Sequence, residues 1–385
     1  MKARFAKFVL ISLVVLAGGL LTLRVSRGVS VQGPPGRITP TGKMINPRFS
    51  HTATLLPNGL VLLAGGMARN GVVEANAEIY DPVTSQFSYV GKLNAPRGWG
   101  TTAALLSNGK VLIAGGASGS WCATSCILSS TELYDPANRK FAPTGSMTSP
   151  RASASAVLLQ TGEVLIVGGD VGDSSTATAE LYHPSTGTFT PTGSMHTPRG
   201  YFAAVLLKDG KVLVLGGSSN GQRAGGTVEE KTAEIYDPST GRFSPAGDMS
   251  SPRNKLGAAL LPDGRVLVVG GQAGGPFGAR LATTEIFNPS SGSFSPGPNM
   301  NFQRFKNRDG VVPLKNGLIL LSSGAEQPEL YDPAANSFLP TAGEKLDSFY
   351  FSTSTLLPNG QVLIAGGYGR DAGAGALNHA WLYLP

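Results

Sequence analysis

The chain has 385 residues, with 31 Lys and Arg, 24 Asp and Glu, 52 Gly and 27 Pro. Glycine and proline make up about a fifth of it and charged residues only 14%, which excludes a coiled coil or long-helix protein, while interspersed apolar runs exclude a disordered one. The net charge of +7 gathers at the start, in Lys2, Arg4, Lys7, Arg24 and Arg27, and the remainder carries 26 cations against 24 acids, so no basic stripe argues for nucleic acid.

Lys2, Arg4 and Lys7 precede an apolar run over residues 8–23, closed by Arg24. Residues 1–30 read as an export signal, cleaved near the small Gly28 and Ser30 or kept as an N-terminal membrane anchor through residues 8–23. A secreted, periplasmic or outward-facing anchored protein is expected. Cys122 and Cys126 are the only cysteines. In an exported chain they should pair, shaping the loop around Trp121 and adding about 2 kcal/mol.

A doublet of small residues then recurs at Gly65-Gly66, Gly115-Gly116, Gly168-Gly169, Gly216-Gly217, Gly270-Gly271, Ser323-Gly324 and Gly366-Gly367. Spacings of 43 to 54 residues fall in the range of four-stranded propeller blades. Before each doublet stands an apolar run reached through a turn such as Pro57-Asn58-Gly59. The Asn-Gly and Asp-Gly pairs predict two-residue hairpins joining strands A and B, with Thr161-Gly162 the weak member. After each doublet come a variable loop and a strand C that ends as Tyr80-Asp81-Pro82 does, where Asp or Asn before Pro starts a turn. Strand D is marked by Phe87, Phe141, Phe189, Phe243, Phe294 and Phe338.

The seventh repeat stops after strand C, and residues 36–44 match 241–249 in spacing and type. The N-terminal strand should therefore complete the last blade and close the ring, so that a propeller spans residues 34–385 and any cleavage lies before about residue 36.

These glycine doublets, the aromatics of strands C and D and the Pro-Arg before strand A resemble kelch-type β-propellers, including the central domain of galactose-oxidase-like proteins. The resemblance covers nearly everything after residue 36 and implies an all-β, seven-bladed kelch-type propeller. Phe stands where kelch repeats often carry Trp. Kelch propellers serve as binding platforms, scaffolds and occasional enzymes, so the resemblance implies a fold more than a function. Galactose-oxidase-like catalysis would imply copper held by tyrosines and histidines, with one tyrosine cross-linked to a cysteine. His51, His183, His196 and His379 are spread over blades and faces, and no metal or other cofactor is expected.

Arginine recurs before strand A at Arg48, Arg97, Arg151, Arg199 and Arg253, with Arg304 or Lys306 in blade six. Glutamate recurs in strand C at Glu78, Glu132, Glu180, Glu234, Glu285 and Glu329. Blade seven loses both together, with Phe349 and Trp381 in their places. Joint presence and joint loss predict buried ion pairs.

Alternating strand direction puts the variable B-C loops and the D-A loops on one face, the expected working face. Its candidate binding residues are Arg69, Trp121, Arg223, Phe277, Arg280, Tyr368 and Arg370, of types that stack on sugars or pair with carboxylates. Phe349, Tyr350, Phe351 and Trp381 read mainly as packing that replaces the lost ion pair, and Asp170 with Asp173 as a solvated turn. The expected function is an exported binding or scaffold protein, a monomer, presenting these loops to an extracytoplasmic protein or glycan. The alternative is a carbohydrate-active or redox enzyme at the central opening of the same face, with Glu74, Glu229, Glu230, Asp309 or Asp371 as acid-base groups. A deep central pocket with two facing carboxylates or a His/Tyr cluster would favour the enzyme; a shallow rim of Arg and aromatics would favour binding.

Overall fold

The computed structural model describes residues 36–119, 124–219, 228–275, 278–347, 349–369 and 375–385. The leader, Trp121, Cys122, Arg223, Phe277, Arg370 and Asp371 lie outside the described residues. No helix among the described residues is long and apolar enough to cross a membrane.

Each of the first six repeats folds into a four-stranded antiparallel sheet in chain order, as in Thr52–Leu55, Val61–Ala64, Asn76–Asp81 and Gln86–Lys92. Strand B is buried along its whole length in Val61–Ala64, Val111–Ala114, Val164–Val167, Val212–Leu215 and Val266–Val269. Neighbouring blades cover both of its faces, which explains the unbroken apolar runs. Strand A alternates, as in Thr102–Leu105 and Ala203–Leu206, with small side chains where the inner strands converge on the axis. These strands touch in ring order, the first meeting the seventh.

The core is seven clusters, each shared by two blades. Leu56, Leu62, Ile79 and Leu93 of blade one pack on Val111, Ile113 and Tyr134 of blade two, and Phe305, Leu320 and Leu330 pack on Phe349, Ile364 and Trp381. In six blades the aromatic ending strand C lies directly opposite the strand D phenylalanine, as Tyr80 does Phe87 and Tyr331 does Phe338. Their ring centroids lie 4.8 Å and 5.0 Å apart.

The A-B turns differ from the two-residue hairpins expected. The Gly59 N–H donates to the Leu56 carbonyl, and the Leu56 N–H donates to that of Leu60. Only Gly59 has positive φ, at 84°, so this is a longer turn ending in a bulge glycine. Thr161 is therefore no weaker than asparagine there, because Gly162 alone takes the positive φ, at 86°. In the C-D turns the Asp81 and Asp135 carboxylates accept N–H bonds from Val83 and Ala137.

The seventh blade contains Thr353–Leu356, Val362–Ala365, Ala380–Leu384 and the N-terminal Arg37–Pro40. Ile38 lies opposite Tyr383 in an antiparallel pair, which closes the ring. A fifth strand, Ala342–Gly343, pairs parallel to Arg37 and Ile38 on the outer edge. The closing strand is thus held on both sides.

The arginines and glutamates meet as six buried ion pairs, Arg48–Glu78, Arg97–Glu132, Arg151–Glu180, Arg199–Glu234, Arg253–Glu285 and Arg304–Glu329, at 2.6–3.0 Å. Arg304, not Lys306, is the blade-six member. Phe349 and Trp381 sit buried in the equivalent places.

Candidate functional site

Between each arginine and strand A the chain must turn inward within two or three residues. One residue per blade does so with left-handed backbone: Ser50, Gly100, Ser153, Tyr201, Lys255, Lys306 and Phe351, at φ 51–73°. Outside glycine that conformation costs about 1 kcal/mol or more, so the surrounding structure must impose it. Hydrogen bonds supply the constraint. The N–H groups of Ser50, Ser153, Lys255, Lys306 and Phe351 each donate to the carbonyl of the counterpart in the preceding blade, at 2.9–3.4 Å. The result is a backbone collar at the channel mouth, on the face of the D-A and B-C loops, whose side chains line a small cavity with Trp99, Arg308 and Asp309.

What the collar presents is cationic and aromatic. Trp99 packs edge-on to Phe351 and Tyr201, with centroids 5.0 Å and 6.0 Å away. The Lys255 ammonium lies 5.2 Å from the Tyr201 ring. Lys306 is caged by Phe305, Tyr350, Phe351 and Tyr368 at 4.9–5.5 Å and donates to the Tyr368 hydroxyl. Arg280 lies 4.5 Å over Phe305 and donates to the Tyr350 hydroxyl. Burial, then the charges of Lys255 and Arg280, pushes the Lys306 ammonium down to about 7. Burial likewise lowers Lys255 to about 8, against the pull of Asp170 and Glu229. Tyr368 is raised by burial to about 12 and keeps its proton.

Beneath the mouth, the turn Arg308–Gly310 reaches over the channel. Arg308 of blade six donates to the Ala154 carbonyl of blade three at 3.0 Å and pairs with Asp309 at 3.5 Å. Further in lies a cavity of about 320 Å³ lined by Thr101, Thr102, Ser155, Thr353 and Ser354 among small apolar residues. His51 borders both spaces. Its Nε2 is bonded to the Thr353 hydroxyl at 2.9 Å, and burial with Arg48 nearby pushes its imidazole down to about 3.

Of the expected binding residues, Arg280 and Tyr368 meet around Tyr350 and Lys306. Arg69 instead donates to the Ala376 carbonyl at 3.4 Å, joining the loops of blades one and seven. Trp121, Arg223, Phe277 and Arg370 lie outside the described residues. Cys126 is disulfide-bonded, with its expected partner Cys122 outside them too. Asp170 is no solvated turn: it is 7% exposed, accepts from Ser175 at 2.8 Å and is raised by burial to about 7. Tyr350, Phe351 and Tyr368 do more than fill space, since they build the Lys306 cage. Among the acids considered, Asp309 reaches the mouth, whereas Glu74 accepts from Asn76. His196 and His379 bond to Glu234 and Asp347.

Lys255, Tyr201 and Trp99 were missed, and Lys306 was considered only as an ion-pair member, because no residue type recurs at this position in every blade. The signal was positional: each collar residue follows the Pro-Arg site by two or three places, and variation at a fixed position marked the mouth.

Residues 199–250 and 256–301 match the Kelch motif family. No curated protein matches the chain. Among solved structures the chain is similar to a novel fungal alcohol oxidase with catalytic diversity among the AA5 family, in complex with copper. The two share 19% identity at a TM-score of 0.70, over 91% of this chain and 76% of that one. That likeness speaks to the fold alone. With seven in-phase blades, the chain is a seven-bladed β-propeller closed by its N-terminal strand, of which residues 199–250 and 256–301 match the Kelch motif.

Proposed function

We propose that the protein is an exported binding propeller whose channel mouth holds a carboxylate-bearing glycan. The observation that carries this reading is the collar itself, where Lys255 and Lys306, with Arg280 beside them, stand among Trp99, Tyr201, Tyr350, Phe351 and Tyr368. Cations in a half-buried setting attract a carboxylate, and the half-buried Trp99 ring suits the C–H face of a sugar. The mouth cavity holds only about 40 Å³, room for a few water-sized atoms. A carboxylate enters it while the sugar ring rests above, against Trp99. Export rests on the basic, then apolar, leader.

A copper centre like that of the fungal oxidase does not fit these residues. The mouth offers ammonium and guanidinium groups where a dication would sit, and the nearest imidazole, His51, spends Nε2 on Thr353. The enzyme alternative also lacks support from facing carboxylates, since Asp309 stands beside Arg308 at the mouth.

Calorimetric titration of the full chain with an oligogalacturonate and with a neutral oligogalactan tests the reading. Binding of the acidic oligomer alone, weakened about tenfold or more (about 1.4 kcal/mol) by Lys306→Met, is expected. Equal binding of both oligomers, untouched by Lys306→Met, would refute it.

A further inference from the structure

We propose that the Lys306 amine is a nucleophile that captures a small 2-oxo carboxylate as an imine in the channel mouth. This deepens the reading of the mouth as a carboxylate site and rests on it.

Three features converge. The Lys306 side chain lines the mouth cavity, and four rings fix its amine at 4.9–5.5 Å from their centres. A lysine desolvated in an apolar pocket beside other cations holds a large neutral fraction at neutral pH, the state that attacks carbonyls. Lys255 and Arg280 are those cations. Lys255 is also the collar neighbour, since its carbonyl accepts the Lys306 N–H. A 2-oxo acid has its carboxylate and carbonyl on adjacent carbons, so the acid group meets Lys255 as the carbonyl meets Lys306. The other charged or titratable groups bordering the mouth are His51, Arg308, Asp309 and Tyr201, with Tyr350 and Tyr368 in the cage.

The Tyr368 hydroxyl accepts from Lys306 and retains its own proton to give. In the step, the Nζ lone pair attacks the carbonyl carbon and the C=O π electrons move to oxygen. That oxygen takes a proton from Tyr368, which recovers one from nitrogen. The resulting hydroxyl leaves as water with the second nitrogen proton, and C=N forms. Amine and ketone give imine and water, with no oxidant or reductant.

The test incubates the full chain with pyruvate and cyanoborohydride at neutral pH and maps the reduced adduct by mass spectrometry, with pyruvate binding followed separately by calorimetry. One reduced pyruvyl group on Lys306 is expected, about tenfold or more above exposed lysines such as Lys43 and Lys140. Capture should rise with pH through about 7 and disappear in Lys306→Arg. Low, even labelling of all lysines in wild-type protein that still binds pyruvate would overturn the inference and leave the carboxylate site standing. Absence of both labelling and pyruvate binding would overturn the inference, and the oligogalacturonate titration then decides the carboxylate site separately.

Discussion

Arg97 shows how a guanidinium survives at 0% exposure. Nη1 donates to the carbonyls of Gly115 and Ser130, Nη2 to the Ser130 hydroxyl and Glu132, and Nε to Glu132. Glu132 in turn accepts the N–H groups of Asn94 and Ala95, so the pair fastens the D-A loop to strand C. Arg97→Ala is expected to cost about 3–5 kcal/mol in denaturant unfolding, because it strands a buried carboxylate. Replacing the pair together, Arg97→Phe with Glu132→Trp, should cost less than the two single changes summed, as blade seven's Phe349 and Trp381 already suggest. His51 gives a pH prediction. Its imidazole lies at about 3 against the ordinary 6.5, so below pH 6.5 the unfolded chain takes up the proton first. The stability of neutral His51 is present above that pH and lost as pH falls toward 3. Asp170, raised from 3.8 to about 7, acts oppositely, favouring the fold below 3.8 and losing that contribution as pH rises through 7. The melting-temperature difference between wild type and His51→Gln should therefore change with acidification below pH 6.5; a constant difference would contradict the burial argument.

At the scale of the element, closure depends on one strand clamped from two sides. Gly343 has φ 91°, and a Cβ there would fall 2.2 Å from the Ile38 carbonyl oxygen. Gly343→Ala should release the outer parallel pairing and speed amide exchange at the bonds around Ile38, whereas deleting residues 36–44 should lower the melting temperature by well over about 5 °C. An unchanged melting temperature after deletion would contradict the closure. Thiol reduction should leave global melting nearly unchanged, because the Cys126 disulfide belongs to one loop. Much of this was legible in the sequence: glycine doublets, Tyr-Asp-Pro endings and the co-varying Arg and Glu sit at fixed periods, and the N-terminal segment matched the missing strand. The fifth strand at Ala342–Gly343 was not, since two residues of parallel pairing carry no pattern. The turn type was misread because Asn-Gly serves both a two-residue hairpin and a bulge-ended turn, which only the φ of Asn58 separates.

For the whole molecule, the ring sets what repetition hides. Recurrence identifies scaffold, and the collar is built from a position whose backbone recurs while its side chain differs: serine, glycine, tyrosine, lysine and phenylalanine. Lys306 and Lys255 became visible as a site only once seven inward turns met around one axis. Such a mouth is held at a cost. Lys306 is charged in the folded state only below about 7, so its burden on folding is greatest there and eases as pH rises from 7 toward the ordinary 10.5. Lys306→Met should therefore raise stability at pH 6 by about 1 kcal/mol while weakening carboxylate binding, an opposition that a purely structural lysine would not produce. The most direct measurement is a crystal structure of the full chain bound to an oligogalacturonate. The predicted result is a carboxylate between Lys255 and Lys306 with its sugar against Trp99; an oligomer seated on the A-B hairpin face or the outer blade edges would contradict a functional mouth.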